Sequence, residues 1–274
     1  MQFPIECMEQ DDPPDKDKHE VWDIVFLANA IGAKYEKFLP PFTHFALAHH
    51  RQGFVEMIVE DRAMFMHAYS SQLEQLSAIH GEDRFSIRNM DRPPNAMHIP
   101  NTYRFLEAPH AQGRYTYIMD VDVMLMTDVV PKYEETWPEG CVFSNIVRDP
   151  RAEMPRLTGM MMARSSEYYT KKFIDIQVQT YTSPEIKNHS DECLLYDMVK
   201  LCHKIPPDDF RWRPILGIHF SPNRGRSKKM NLQTTRLYEE TFWEHTRRFP
   251  ALFSMQGFEN LAEQLRNDFI SPND

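Results

Sequence analysis

The segment that decides the fold is residues 116–129, TYIMDVDVMLMTDV. Tyr115 to Met119 form a short apolar run with the length of a buried β-strand. The run ends directly in Asp120 and Asp122, and a second apolar run follows them. Ionised carboxylates beside buried segments are costly unless they are paired or bound to a cation. The pattern therefore predicts a strand that ends in a functional pair of acids.

Asp120 and Asp122 have the spacing at which two carboxylates can reach one ion where the chain bends at a strand end. Open α/β sheets bind their ligands at the carboxyl ends of their strands. A hard divalent cation, held by two carboxylates and by the oxygens of a diphosphate, fits that position. Ordinary loop acids are the simpler interpretation of a DxD string, but apolar runs on both sides are unusual for a solvated loop. We therefore expect a metal site here.

Apolar runs and helical patterns alternate along the first half of the chain. Strands are predicted at residues 22–28, 54–60, 85–88 and 115–119, and helices at residues 41–50, 62–79 and 101–108. This alternation is typical of an α/β domain with a mainly parallel central sheet flanked by helices. The second half is less regular, and its predicted elements are strands at 141–147 and 159–163 and a helix at 191–202.

Composition divides the chain into a tail, one domain and a C-terminal part. Residues 1–20 hold seven acids and two lysines, which predicts an acidic flexible tail. Residues 21–232 contain the alternating pattern and are interpreted as a single domain. Two helical patterns, at 235–248 and 258–269, predict a C-terminal helical appendage over residues 233–274.

Composition also narrows the class of protein. Of 274 residues, 42% are apolar, which is enough for a substantial core, yet no run approaches the roughly 18 residues of a membrane-spanning helix. The first residues lack the basic and apolar segments of a signal peptide, and the four cysteines are scattered. We therefore expect a cytoplasmic protein with reduced thiols and no transmembrane segment. The net charge of −9 disfavours a nucleic-acid partner.

Five segments, taken in order, resemble a known family. YTYIMDVDVMLMTDV is similar to the DxD strand of GT-A-fold nucleotide-sugar glycosyltransferases, and most similar to family 8, the group of galactinol synthase, glycogenin and lipopolysaccharide galactosyltransferases. The other segments are NTYRFLEAP (101–109), LTGMMMARSS (157–166), HSDECLLYDMV (189–199) and LGIHFSPNRGRSKK (216–229). The resemblance covers about residues 22–230 and implies a GT-A fold for the domain.

The resemblance implies a transferase that depends on Mn²⁺ or Mg²⁺. It would move a sugar from a nucleotide diphosphate donor, expected to be a UDP-sugar, to a glycan, a lipid-linked sugar or a protein. Asp120, Asp122 and His219 would hold the ion, and an imidazole ligand favours Mn²⁺. Likeness to family 8 further implies that the anomeric configuration is retained.

The resemblance also implies which residues bind the donor and which act on it. The expected donor-binding residues are Leu27, Ala28, Asn29, Tyr35, Arg104, Asp120, Val121, Asp122, Arg224, Arg226 and Lys228. Asp191 and Glu192 are the expected catalytic carboxylates, although acids favour the first turn of any helix. Two of these positions depart from the family: Asn29 stands where an aspartate is frequent, and Glu192 replaces a glutamine.

Three other functions are alternatives to a glycosyltransferase. A sugar-phosphate nucleotidyltransferase would have a glycine-rich loop after the first strand, where only Gly32 is present. A non-catalytic module that binds nucleotide sugars or glycans would share the fold and the same residues. A nucleic-acid binder would use the six basic residues between Arg211 and Lys229, but the acidic net charge opposes it.

Overall fold

The computed structural model describes residues 21–94, 98–183, 190–212, 216–220 and 240–254. The strands are β1 (Trp22–Asn29), β2 (Gly53–Val59), β3 (Phe85–Asn89), β4 (Gly113–Ile118), β5 (Val123–Leu125), β6 (Phe143–Ser144), β7 (Val147–Arg148), β8 (Arg156–Leu157), β9 (Met161–Arg164) and β10 (Gly217–His219). The α-helices are α1 (Ala33–Glu36), α2 (Leu39–His49), α3 (Arg62–Ala68), α4 (Ser70–His80), α5 (Val130–Glu135), α6 (Ser165–Tyr168), α7 (Lys171–Thr182) and α8 (Asp191–Lys200). Short 3-10 segments lie at Glu82–Arg84, Pro100–Phe105 and Pro250–Phe253, and residues 240–248 are helical.

A six-stranded sheet in the order β3-β2-β1-β4-β9-β6 forms the centre of the molecule. Strands β1 to β4 are parallel to one another, whereas β9 is antiparallel to both β4 and β6. The expected mainly parallel α/β sheet is therefore confirmed. Leu27 of β1 lies opposite Ile118 of β4, so these neighbouring strands end at the same edge of the sheet. Asn29 ends β1 and Asp120 lies two residues after the end of β4, so both residues lie at that edge.

Helices cover both faces of the sheet, which explains why β1 and β2 are mostly apolar along their length. Because successive strand residues point to opposite faces, β1 serves two cores. Phe26 belongs to the cluster that contains Phe42 of α2. Leu27 belongs to the opposite cluster, with Phe173 of α7 and Leu195 of α8. The strand that leads to the site is thus fixed from both sides.

Several predicted elements differ from those observed. The helix expected at 62–79 is divided at Tyr69, whose backbone (φ −116, ψ 23) leaves the helical region between α3 and α4. The helix expected at 101–108 is the 3-10 segment Pro100–Phe105. The strand expected at 141–147 is two strands in different sheets, because β6 joins the central sheet and β7 pairs with β8 as a hairpin. Asn145, between them, donates from Nδ2 to the carbonyl oxygen of Thr158 at 2.9 Å.

A buried ionic cluster fixes the chain just after the segment Pro100–Phe105. The Arg88 guanidinium donates to Glu56 at 3.1 Å, to Glu107 at 2.7 Å and to the carbonyl oxygen of Ala108 at 2.9 Å. Both carboxylates are fully buried. A buried charge is tolerated when it is paired and hydrogen-bonded, as here. The cluster therefore joins β2 and β3 to the chain segment that carries Arg104.

The described part of the C-terminal region packs into the main core. Phe242, Leu252 and Phe253 are buried in the cluster that also contains Phe45 of α2. Of the predicted helix 235–248, residues 240–248 are described and helical, whereas the helix predicted at 258–269 and the tail predicted at 1–20 lie outside the described residues. Among the helices that the structure describes, none has the length and apolar character needed to cross a membrane.

Candidate active site

Asp120, Asp122 and His219 meet at the carboxyl edge of the sheet. After β4 the chain turns, with the Val123 amide donating to the Asp120 carbonyl oxygen at 3.2 Å, and continues as β5. Strand β10 pairs with β5 in antiparallel register, with His219 opposite Val123. The Phe220 amide also donates to the Asp122 carbonyl oxygen at 2.7 Å. The result is that one ligand atom from each of the three residues lies within 4.8 Å of the others.

The Asp122 carboxylate is suited to a cation. Asp122 is only 5% exposed, and its Oδ1 is buried without a well-aligned hydrogen-bond donor among the described residues. The same atom lies 3.2 Å from Nε2 of His219. A buried carboxylate oxygen without a donor is costly, and a bound cation removes that cost. Two carboxylates and an imidazole are ligands that Mn²⁺ accepts, so the residues fit the expected metal.

Arg104 connects the metal cluster to α8. Its Nη1 donates to Asp120, and its Nη2 donates to Oδ2 of Asp191 at 2.9 Å. Burial by itself would lower the pKa of Arg104, but the carboxylates of Asp120, Asp191 and Asp122 outweigh burial and raise that pKa. Arg104 therefore stays charged and holds two carboxylates that come from distant parts of the sequence.

The two expected catalytic carboxylates have different surroundings. Ser190 caps α8, and Asp191 at its first position reaches Arg104. Glu192 instead contacts the hairpin β7–β8, where Arg148 lies 3.3 Å and Arg156 lies 3.4 Å from its carboxylate. Neither Asp191 nor Glu192 is in the described lining of the cavity beside the metal cluster. The geometry links Asp191 to the metal cluster through Arg104 and places Glu192 in an ionic contact with the hairpin.

A cavity of about 140 Å³ adjoins the metal cluster. Its described lining is Asn29, Ala30, Ile31, Tyr35, Pro100, Asn101, Arg104, Asp120, Val121, Asp122 and His219. Six expected donor-binding residues are therefore in the lining, together with the expected ligand His219. Leu27 and Ala28 are buried in the core behind the cavity. Arg224, Arg226 and Lys228 lie outside the described residues.

Sequence reasoning missed four lining residues: Ala30, Ile31, Pro100 and Asn101. The first two directly follow Asn29, so the strand-end signal that singled out Asn29 extends to them. Pro100 and Asn101 begin the 3-10 segment that carries Arg104. The signal that could have identified them is the proline, which is frequent in the first turn of a helix.

Gly159 is a further residue whose role depends on space. A Cβ atom at this position would lie 2.4 Å from Nη2 of Arg104, the nitrogen that binds Asp191. We expect Gly159→Ala to displace the guanidinium and to lower turnover by about 10- to 100-fold, as small misplacements in active sites do. Stability should fall by no more than about 3 kcal/mol, the cost of breaking a buried ion pair, because only the guanidinium has to shift. Steady-state kinetics and thermal denaturation measure the two effects, and unchanged turnover would contradict the assigned role.

The fold of this chain is similar to that of several solved structures. Scans against protein-family models and against curated proteins find no match. Several solved glycosyltransferases are similar in structure to this chain. Apo GlyE from Streptococcus pneumoniae TIGR4 has a TM-score of 0.45 and 11% identity, and the match covers 67% of this chain and 44% of GlyE.

Two further structures are of the same class. An active-site mutant of LgtC, a galactosyltransferase, has a TM-score of 0.47 and 12% identity over 80% of this chain and 95% of LgtC. The mannosyltransferase PcManGT from Pyrobaculum calidifontis, solved with GDP-Man and Mn²⁺, has a TM-score of 0.43 and 11% identity over 93% of this chain and 77% of that one. The chain spans less than half the length of GlyE. At these TM-scores the function has to be inferred from the geometry of the site.

Proposed function

We propose that the chain is a metal-dependent glycosyltransferase whose donor is a nucleotide diphosphate sugar, with UDP as the expected nucleotide. One observation carries the proposal: the cluster of Asp120, Asp122 and His219 lines a cavity that Asn29 and Arg104 also line. A divalent-ion site next to a pocket with a fixed guanidinium is suited to a diphosphate, because both groups attract phosphate oxygens.

The residues of this cluster would bind and orient the donor. Asp120, Asp122 and His219 would hold the ion, which when bound supplies positive charge beside the leaving diphosphate. Arg104 donates to Asp120 and keeps its own charge in the buried site, where that charge can also attract the diphosphate. Arg224, Arg226 and Lys228 are proposed to bind the phosphates from the basic segment, as the resemblance implies.

Asp191 is the carboxylate that we propose acts at the sugar. It lies at the N-terminus of α8 and is bound by Arg104, which also donates to Asp120 of the metal cluster. From there it would accept hydrogen bonds from sugar hydroxyls or stabilise positive charge that develops on the sugar. Glu192 would act indirectly, through Arg148 and Arg156, by holding the hairpin against α8. Retention of anomeric configuration is the expected outcome.

A panel of nucleotide sugars tests the proposal directly. The purified chain should release UDP from at least one UDP-sugar in the presence of Mn²⁺, and chelation by EDTA should abolish the release. Binding of nucleotide sugars without turnover, with glycan acceptors supplied, would favour a binding module instead. Release of pyrophosphate from a sugar phosphate and a nucleoside triphosphate would identify a nucleotidyltransferase.

Asn29 is proposed to contact the nucleobase, with Tyr35 beside it. The Nδ2 atom of Asn29 is buried without a hydrogen-bond partner among the described residues, and the residue lines the cavity. An amide can donate to a base carbonyl and accept from the neighbouring ring N–H, which is the edge that uracil presents. An ionised aspartate can only accept hydrogen bonds. It could accept from the ring N–H, but it could not donate to the base carbonyl, and that contact would be lost.

We therefore expect Asn29→Asp to weaken binding of UDP by about tenfold, the cost of leaving one buried acceptor without a donor. Isothermal titration calorimetry with UDP and Mn²⁺ measures the change. Asn101→Asp is the matched control, since it adds the same charge to the lining of the same cavity. Equal losses in both variants would show a general charge effect and would contradict base recognition by Asn29.

A further inference from the structure

Three histidines form a hydrogen-bonded chain away from the metal cluster. His44 of α2 lies between the other two: its Nδ1 is 3.0 Å from Nε2 of His80, and its Nε2 is 2.7 Å from Nδ1 of His245. His80 ends α4, and His245 belongs to the helical stretch 240–248. The chain therefore connects the C-terminal segment, residues 240–254, to two helices that cover the sheet.

The spacing of these rings excludes a shared metal ion. A metal–imidazole bond is about 2.0–2.1 Å long, so two nitrogens that are 2.7 Å or 3.0 Å apart and directed at each other leave no room for an ion between them. The contacts are hydrogen bonds between imidazoles, and each bond needs one proton. Neutral rings supply these protons, because each carries one N–H and one acceptor nitrogen.

The surroundings of His44 are apolar. The residue is 1% exposed, and its ring packs against those of Phe45, Phe249 and Phe253 at centroid distances of 5.3, 4.9 and 6.4 Å. His49, five residues after His44 on α2, has a buried Nε2 without a hydrogen-bond partner among the described residues. Added protons would be placed among aromatic rings, where a charge is poorly solvated.

Neighbouring charges strengthen this resistance to protonation. Burial, followed by His80, His245, His49 and Arg248, lowers the pKa of His44 to about 3. Burial and then Arg84 and His245 lower the pKa of His80 to about 4.

The other two histidines are also shifted downward. Burial lowers the pKa of His49 to about 4, with His245 and His50 adding to the shift and Asp128 opposing it. Burial lowers the pKa of His245, where Glu244 opposes the shift and Arg248 adds to it. Asp128 and Glu244 act to raise these two pKa values, but burial and the cationic neighbours lower them by more.

The C-terminal segment is also connected to the metal cluster. Phe242 packs against Phe220 at a centroid distance of 5.2 Å. Phe220 follows His219 and donates its amide to the Asp122 carbonyl oxygen. Docking of the segment therefore supports the strand that carries His219.

We propose that the chain His80–His44–His245 is a pH-sensitive latch, which holds residues 240–254 against α2 and α4 while its rings are neutral and releases them when the rings take up protons. Release would remove Phe242 from behind β10. The latch itself does not depend on the function proposed above, because the contacts that form it lie outside the donor cavity.

The sign and size of the effect follow from linkage between protonation and docking. Histidines whose pKa is lowered in the docked state bind fewer protons there, so docking is strongest above the free value of about 6.5 and weakens as pH falls below it. Each histidine that regains that free pKa on release makes the docking equilibrium about 25-fold weaker at pH 5 than at pH 7. Two such histidines give a loss of several hundredfold.

Hydrogen–deuterium exchange of the full chain measures this loss without any substrate. Protection of peptides from residues 240–254, corrected for the intrinsic rate at each pH, should fall at least 25-fold between pH 7 and pH 5. Protection of β1 should fall much less. Equal falls in both regions would show global unfolding and would overturn the proposal, as would constant protection of 240–254.

A substitution identifies the histidines as the cause. His44→Gln keeps one hydrogen bond but does not titrate, so the fall between pH 7 and pH 5 should become about 25-fold smaller. His67→Gln is the control, since His67 is an exposed histidine on α3 and should leave the fall unchanged. If His44→Gln has already lost protection at pH 7, His80→Gln provides the same test from α4. An undiminished fall in a docked variant of either kind would overturn the latch.

Discussion

Replacing Asp122 by asparagine should abolish metal-dependent donor binding while leaving the metal-free protein about as stable as the wild type. Burial makes the charge of Asp122 costly in the metal-free fold. Nε2 of His219, 3.2 Å from Oδ1, and the Arg104 guanidinium offset that cost, so removing the charge has a small net effect on stability. The neutral amide has nearly the same shape and does not carry that cost. The amide is also a poor ligand for a divalent ion. Turnover should therefore fall by more than about 100-fold, the largest loss that is usual for residues that only support a metal ligand.

Thermal denaturation with and without Mn²⁺ and UDP separates these effects. The wild type should gain about 2.7 kcal/mol of stability at a ligand concentration 100 times the Kd, and Asp122→Asn should gain none. Asp175→Asn, on the exposed side of α7, is the control for loss of one acid and should behave as the wild type. Retention of the metal-dependent gain in Asp122→Asn would contradict the assigned site.

The central strands could be predicted because their signal is local. In β1 and β2 most residues are apolar, and helices on both faces require that composition. The acidic pair at 120 and 122 was also visible, because charges interrupt an otherwise apolar stretch. Both signals lie within a few residues of sequence and need no knowledge of the tertiary contacts.

The remaining parts of the site depend on contacts between distant residues. The pairing of β5 with β10 brings His219 to Val123, and only the family motif indicated it. The position of Arg104 between Asp120 and Asp191 also joins segments that lie far apart in the sequence. Helix α7 was missed because two of its three buried residues, Gln177 and Thr180, are polar, so its buried face does not form an apolar stripe.

Asp191 and Glu192 show why neighbouring residues of one motif can differ in role. Consecutive residues of an α-helix are rotated by about 100° about its axis, so the two carboxylates leave α8 in different directions. One reaches Arg104, and the other reaches Arg148 and Arg156. A sequence motif treats them as a pair, but the helix separates them.

The second large effect is expected for Arg104→Gln. This change leaves Asp120 and Asp191 without the guanidinium that each contacts, and breaking a buried ion pair costs about 3 kcal/mol of stability. Asp120 would be released toward the metal, and the site would become more negative by one charge. Mn²⁺ alone should therefore bind as tightly as in the wild type or more tightly.

Turnover should change in the opposite direction. Arg104 is the fixed cation that we propose faces the diphosphate, and loss of such a group costs about 100- to 1,000-fold in rate. Arg104→Lys should be intermediate, because it keeps the charge but cannot bind two carboxylates as a planar fork. Arg114→Gln, an exposed arginine that also pairs with two acids, is the control.

Titration of Mn²⁺ and steady-state kinetics on the same variant decide between two roles for Arg104. A residue that only stabilises the fold would weaken metal binding and turnover together when it is removed, because the cluster would lose its shape. If Arg104 instead orients Asp191 and attracts phosphate, its removal leaves the three metal ligands in place. Metal binding then persists while turnover is lost. Parallel loss of both properties would contradict the second role.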